Sequence, residues 1–162
     1  MLDWSALLVS GEALLTRNQA GLGYTLFAAA MTCGRLSGDW VTARIGDRKT
    51  LIAGGFIAVA GFIVLLTAPV AAAALAGFLL IGLGASNIVP VFFRRAGSQT
   101  VMPPALAVAA ITMTGYAGVL LGPALIGYVA SLVGLPISFW VLAGLICLVP
   151  LTAREVVGSD IR

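Results

Sequence analysis

Uncharged apolar runs, separated by short charged segments, set the pattern of this chain. The runs cover 17 residues from Asn18 to Gly34, 44 from Thr50 to Phe93 and 58 from Ala96 to Ala153. A charge at the centre of a lipid bilayer costs at least about 2.5 kcal/mol, so the uncharged runs are the candidate membrane spans. One helical crossing takes about 20 residues, so the second and third runs each hold two. Proline and glycine divide them: Ala68-Pro69 breaks the second, while Met102-Pro103-Pro104 opens the third and Gly134-Leu135-Pro136 splits it. The spans expected are 19–38, 50–67, 71–92, 104–132 and 136–153. Ahead of them, Trp4 to Val9 is apolar but too short to cross. It reads as the outer end of a helix, the alternative being an interfacial stub. The fold class expected is an all-α polytopic transmembrane helix bundle: five spans plus an N-terminal partial helix in one domain over 1–162, with 154–162 as a short tail.

Composition agrees and narrows the function. Of 162 residues, 60% are hydrophobic and 9% charged, against about half and about a quarter in soluble domains. Five or six crossings fill such a length and leave no room for a soluble domain, so any chemistry sits in or at the bilayer. The 20 glycines suit helices that pack closely in lipid. The net charge of +3 comes with no basic run longer than Arg48-Lys49 or Arg94-Arg95, which argues against a nucleic-acid partner. Cys33 and Cys147 stand alone in apolar stretches and there is no histidine, so no metal site, cofactor or disulfide is expected. No nucleophile–base set occurs either, which leaves no catalytic residues to assign. Met1-Leu2-Asp3-Trp4 carries an acid where a secretory signal has a base, and nothing at the start reads as cleaved.

Orientation follows from the basic residues. Arg35, Arg44, Arg48, Lys49, Arg94, Arg95, Arg154 and Arg162 fall on one side of the parsed spans, and only Arg17 falls on the other. That side is assigned to the cytoplasm, which places the N-terminus outside and the C-terminus inside. Arg35 and Asp39 stand four residues apart at a helix end and could pair, although Asp39 could equally reach Arg44 or a neighbouring helix end. Such a pair could latch one conformation; the plainer reading is a set of membrane anchors with a solvated acid.

The segment Gly34-Arg35-Leu36-Ser37-Gly38-Asp39-Trp40-Val41-Thr42-Ala43-Arg44-Ile45-Gly46-Asp47-Arg48-Lys49 resembles a signature of the major facilitator superfamily. That superfamily places a G-x-x-x-D-R-x-G-R-R/K loop between the second and third helices of each half. Arg44, Gly46, Arg48 and Lys49 match its end, while Asp39 lies seven residues before Gly46 where the usual spacing is three. The arrangement is similar to the sugar-permease-like bacterial branch. The resemblance implies a cytoplasmic gate loop built on Arg35, Asp39, Arg44, Gly46 and Arg48.

A second match covers Gly115 to Gly127. Gly118 and Gly122 share a helix face and Pro123 bends the chain, which resembles the glycine-proline motif of the fifth and eleventh facilitator helices and implies a helix-packing role for all three residues. In the third span, Asn87 is the most polar side chain of any span interior, and Pro90 frees a backbone carbonyl one turn earlier. Asn87 is therefore a candidate for the solute cavity, or else hydrogen-bonding glue between helices. Thr112, Thr114 and Tyr116 are similar candidates, with the reservation that threonine hydroxyls bond their own helix.

In order, these features align with helices seven, outer end only, to twelve of a facilitator. The resemblance implies the C-terminal part of a transporter that moves a small polar solute by alternating access in the bacterial inner membrane. It would be inactive alone, for want of a missing or separately encoded N-terminal six-helix half. The alternative is a small non-transporting membrane protein, or a half-transporter acting as an assembly partner. The partners expected are the lipid bilayer, a small-molecule solute and that second half.

Overall fold

The computed structural model describes residues 21–157; the N-terminal partial helix, Arg17 and the end of the tail lie outside the described residues. Six helices follow in order: α1 Gly21–Ile45, α2 Asp47–Thr67, α3 Ala71–Ala85, α4 Ile88–Ser98, α5 Pro104–Val133 and α6 Leu135–Val157. The all-helical class is as the sequence predicts. Four stretches among the described residues are long and apolar enough to cross a membrane: Asp47–Thr67, Ala71–Ser98, Pro104–Val133 and Leu135–Ala153. α1 has 25 residues, about 37 Å of helix, but carries Arg35, Asp39 and Arg44 along its second half.

The charged segment after Gly34 is not a loop. α1 runs on to Ile45, and a single residue, Gly46, separates it from α2. Gly46 takes φ 82 and ψ 158, a region that only glycine enters without strain. Its N–H donates to Thr42 O at 2.9 Å, while its own carbonyl accepts from the N–H of Thr50 at 3.1 Å and from Thr50 Oγ1 at 2.9 Å. A Cβ would meet no neighbour here, so the requirement is conformational and not steric. Gly46→Ala is expected to cost about 1–3 kcal/mol, read as a fall in melting temperature in detergent. Gly97→Ala serves as the reference, a helical glycine with open space around it.

The third crossing is discontinuous. α3 ends at Ala85, Ser86 and Asn87 form a turn, and α4 restarts at Ile88. Pro90 explains the position: it has no N–H for the carbonyl of Ser86 four residues back, and its ring crowds that carbonyl. Arg94 and Arg95, read from sequence as a connection between spans, are part of α4.

Glycines set the packing. α2 crosses α3 where Gly54 and Gly61 meet Gly84 and Gly77, so close that a Cβ on Gly61 would lie 2.9 Å from the carbonyl oxygen of Gly77. α1 lies on the other side of α3, with Gly82 against Ala30 and Met31. α6 covers α2, seating Pro150 on Gly55. The core comprises Phe62 and Leu65 of α2, Ala74, Phe78 and Ile81 of α3, and Phe139 and Ala143 of α6. The rings of Phe62 and Phe139 are 6.4 Å apart and tilted by 55°, within the range for favourable edge contacts. A second cluster of Leu51, Val91, Ala153 and Val157 joins α2, α4 and α6. α5 flanks α4 and α6 and buries only Ala107.

Candidate functional site: an ionic latch beside an apolar cleft

The charges that the sequence scatters over three segments converge at the end of the bundle where α1, α2 and α4 meet. The carboxylate of Asp47, at the first turn of α2, accepts from Arg94 Nη1 at 2.7 Å and pairs with Arg95 Nε at 2.8 Å. Arg94 Nη2 also reaches Asp39 Oδ1 on α1 at 3.1 Å. One α4 arginine thus bridges two other helices. The acids differ in setting, since the side chain of Asp47 is 12% exposed and that of Asp39 is 95% exposed. Surface pairs contribute little and screened ones less, so Asp47 is the stronger anchor.

The expected gate residues are distributed around this latch. Asp39 belongs to it, but through Arg94; no ion pair joins it to Arg35 or Arg44 among the described residues. Arg44 stacks on Trp40, its guanidinium carbon 4.3 Å from the ring centroid, a cation–π contact on the exposed face of α1. Gly46 makes the link and Arg48 sits half-buried in the first turn of α2. Sequence reasoning missed the central acid. Asp47 directly follows the only glycine between two charged helical segments, and Arg94-Arg95 is the only Arg-Arg pair in the chain. Those two signals together would have pointed to it.

Beside the latch, α4 and α5 leave a cleft of about 650 Å³, walled by Val89, Phe92 and Phe93 on one side and Ile111, Thr112 and Tyr116 on the other. A smaller space of about 310 Å³ continues past Phe92 and Ile111 to Arg95. Thr112 and Tyr116 both fall on one wall of the larger cleft. Tyr116 is 68% exposed, and Thr112 Oγ1 donates to Val108 O at 2.8 Å within its own helix. Asn87 is not on the cleft wall. Its Nδ2 donates to Gly34 O on α1 and to Ser86 Oγ, both at 3.1 Å, the interhelical arrangement that was the alternative for this residue.

Gly118, Gly122 and Pro123 lie within an unbroken α5, and a Cβ on either glycine would meet nothing within 4 Å. No described helix uses that glycine face, so the packing expected of it has no partner among the described residues. Among the described residues, no three His, Cys, Asp or Glu side chains gather around one point.

The family model for the Major Facilitator Superfamily matches residues 2–156. The chain belongs to the major facilitator superfamily. It is 47% identical over 156 residues to an uncharacterised MFS-type transporter of Yersinia pestis, covering 96% of this chain and 41% of that one. It is 38% identical over 133 residues to the membrane protein MosC of Rhizobium meliloti, covering 82% and 33%. It is 32% identical over 152 residues to an uncharacterised transporter, y4wD, of Sinorhizobium fredii, covering 94% and 40%. No solved structure matches. The chain spans at most about two fifths of the length of these relatives. Facilitator membership makes this a multi-pass membrane protein and not an enzyme, and it accounts for the apolar exposed faces of α5 as surfaces for lipid or protein.

Proposed function

We propose that the chain is the C-terminal part of a facilitator-type transporter of the bacterial inner membrane, moving a small polar solute by alternating access. Its N-terminal side lies outside and its C-terminus in the cytoplasm. The observation that carries this reading is the latch: Arg94 and Arg95 on a short helix hold Asp39 and Asp47 on two others, next to a cleft. A latch of this kind closes one end of a path in one state and opens in the other. Thr112 and Tyr116 offer the hydroxyls along that path. Asn87 is left out of it, because its amide is engaged between α1 and the helix break.

Alternating access needs two bundles moving about a shared site, so the chain alone does not transport. The open face at Gly118 and Gly122 supports a second six-helix half seated against α5. Purified chain in liposomes is expected to show no saturable counterflow, and co-reconstitution with the N-terminal half of a relative is expected to restore it. Gly118→Leu should leave the melting temperature of the isolated chain within a degree or two and abolish that restored uptake. Counterflow by the chain alone would sink the half-transporter reading.

A further inference from the structure

Asn87 is attached to the latch by geometry as well as by sequence. It is the first residue of the lever that carries Arg94 and Arg95, and it sits where that lever joins the rest of the bundle. We infer that Asn87 is a positioning residue: it pins the break between α3 and α4 to the Gly34 carbonyl, so that α4 turns about Ser86–Asn87 as a lever with the latch arginines at its far end. The inference rests on the latch reading above and adds the pivot.

Four observations converge on it. First, the backbone is interrupted there: Ser86 N reaches Leu83 O only in a stretched 3.4 Å bond, and the first bond of α4 is Val91 N to Asn87 O at 3.1 Å. Pro90 leaves the Ser86 carbonyl without its helical donor. Second, the break is held from the side. Ser86, fully buried, donates its hydroxyl to Leu83 O at 2.6 Å and accepts from Asn87 Nδ2, which also donates to Gly34 O across the helix interface. Gly34 and Gly38, one turn apart on α1, form the socket: a Cβ on Gly34 would come to 2.7 Å from Ser86 Cβ, and one on Gly38 to 2.8 Å from Asn87 Cγ.

Third, α4 is lightly held beyond the pin. Its one core anchor is Val91, one turn from the pin in the cluster with Leu51, Ala153 and Val157, and beyond that it buries only Ala96, whereas α3 buries Ala74, Gly77, Phe78, Ile81, Gly82 and Gly84. Fourth, the lever has room and reach. The cleft of about 650 Å³ lies along its flank. Seven residues from Asn87 to Arg94 span about 10 Å, so a tilt of about 20° carries the guanidinium about 4 Å, enough to part it from both acids. The amide of Asn87 is part-buried and bonds both Gly34 O and the buried hydroxyl of Ser86, and in an apolar setting such bonds are costly to exchange, so the pivot stays in place while the far end moves.

The test uses spin labels on the full chain in nanodiscs, in a Cys33→Ala, Cys147→Ala background with cysteines at Ala43 on α1 and Ser98 at the end of α4. The wild type is expected to give one narrow distance distribution. Asp47→Asn opens the latch with the pin intact, and is expected to shift the distribution by about 4 Å as a body. Asn87→Leu keeps the volume and removes the donor, and is expected at least to double the width of the distribution. A residue that merely fills space would tolerate leucine, so an overlay of Asn87→Leu on the wild type overturns the pin and leaves the latch standing. A broadened Asn87→Leu beside an unmoved Asp47→Asn supports the pin and overturns the latch. Should the leucine variant not fold, Pro90→Ala decides: it returns a donor to Ser86 O, so α3 and α4 join into one helix, and the distribution moves to a new narrow value. An unchanged distribution in Pro90→Ala overturns the pivot.

Discussion

Gly77→Leu is expected to leave no monodisperse chain in detergent. At this position α3 passes α2 with backbone against backbone: a Cβ would lie 2.8 Å from the carbonyl oxygen of Gly61, from the amide nitrogen of Leu65 and from Leu65 Cβ. None of these is the far end of a flexible side chain, so relief requires the helices to separate. Separation would pull apart Phe62, Leu65, Phe78 and Ile81, the centre of the core. Over-packing a well-filled site costs about 1–3 kcal/mol when side chains can yield, and more where they cannot. Here the opposing atoms are backbone and a Cβ, so the cost lies above that range and takes a large share of a total stability of about 5–15 kcal/mol. Size-exclusion profiles and melting temperatures check it, with Gly118→Leu as the companion variant that keeps its profile because the site is open. A Gly77→Leu chain that melts within a few degrees of the wild type would show that the α2–α3 crossing does not hold the bundle together.

The second large effect is Asp47→Asn. Both arginines share this carboxylate, one on each oxygen, at 2.7 and 2.8 Å, and its side chain is 12% exposed. Removing one member of a buried ion pair costs about 3–5 kcal/mol; with guanidiniums that are 40% and 32% exposed, solvent screening reduces the expectation to about 1–3 kcal/mol. Asp39→Asn, at the 95% exposed acid, should cost at most about 0.5 kcal/mol. The two also separate by salt. The Asp39 contribution should vanish by about 1 M salt, where the screening length is about 3 Å, while most of the Asp47 contribution persists. Melting curves in detergent at low and high ionic strength measure both. Equal losses for the two variants would mean that burial does not rank the acids.

Much of this architecture is legible in the chain because lipid makes the rules simple. A charge is expensive in hydrocarbon, so the uncharged runs mark helices, and hydroxyls such as those of Thr112 and Thr114 bond their own backbone because nothing else is available. The turns at Pro69 and Gly134 follow from residues that cannot continue a helix. The charged segment from Arg35 to Lys49 was harder to read. A cluster of charge looks like a loop, yet Thr42 Oγ1 bonds Gly38 O at 2.7 Å and the helix continues beyond the apolar zone. The choice of ion-pair partners was not legible at all. Asp39 could be assigned to Arg35 by spacing, but its partner Arg94 stands 55 residues away on a different helix. The role of Asn87 was open for the same reason: one amide serves a solute or a neighbouring helix equally well until Gly34 is placed beside it.

The single-residue link at Gly46 has a counterpart. Gly134 joins α5 to α6 with φ 87 and ψ 159; its N–H donates to Ala130 O at 2.9 Å, and its carbonyl accepts from Ser138 N at 3.3 Å and Ser138 Oγ at 2.9 Å. Thr50 does the same at Gly46. Three crossings separate the two glycines, so they face opposite sides of the bilayer. The chain therefore contains one hairpin design in two upside-down copies, α1–α2 and α5–α6, with the broken crossing lying between them. Symmetry of that kind gives a single chain two corresponding corners, one at each membrane surface, from one local rule.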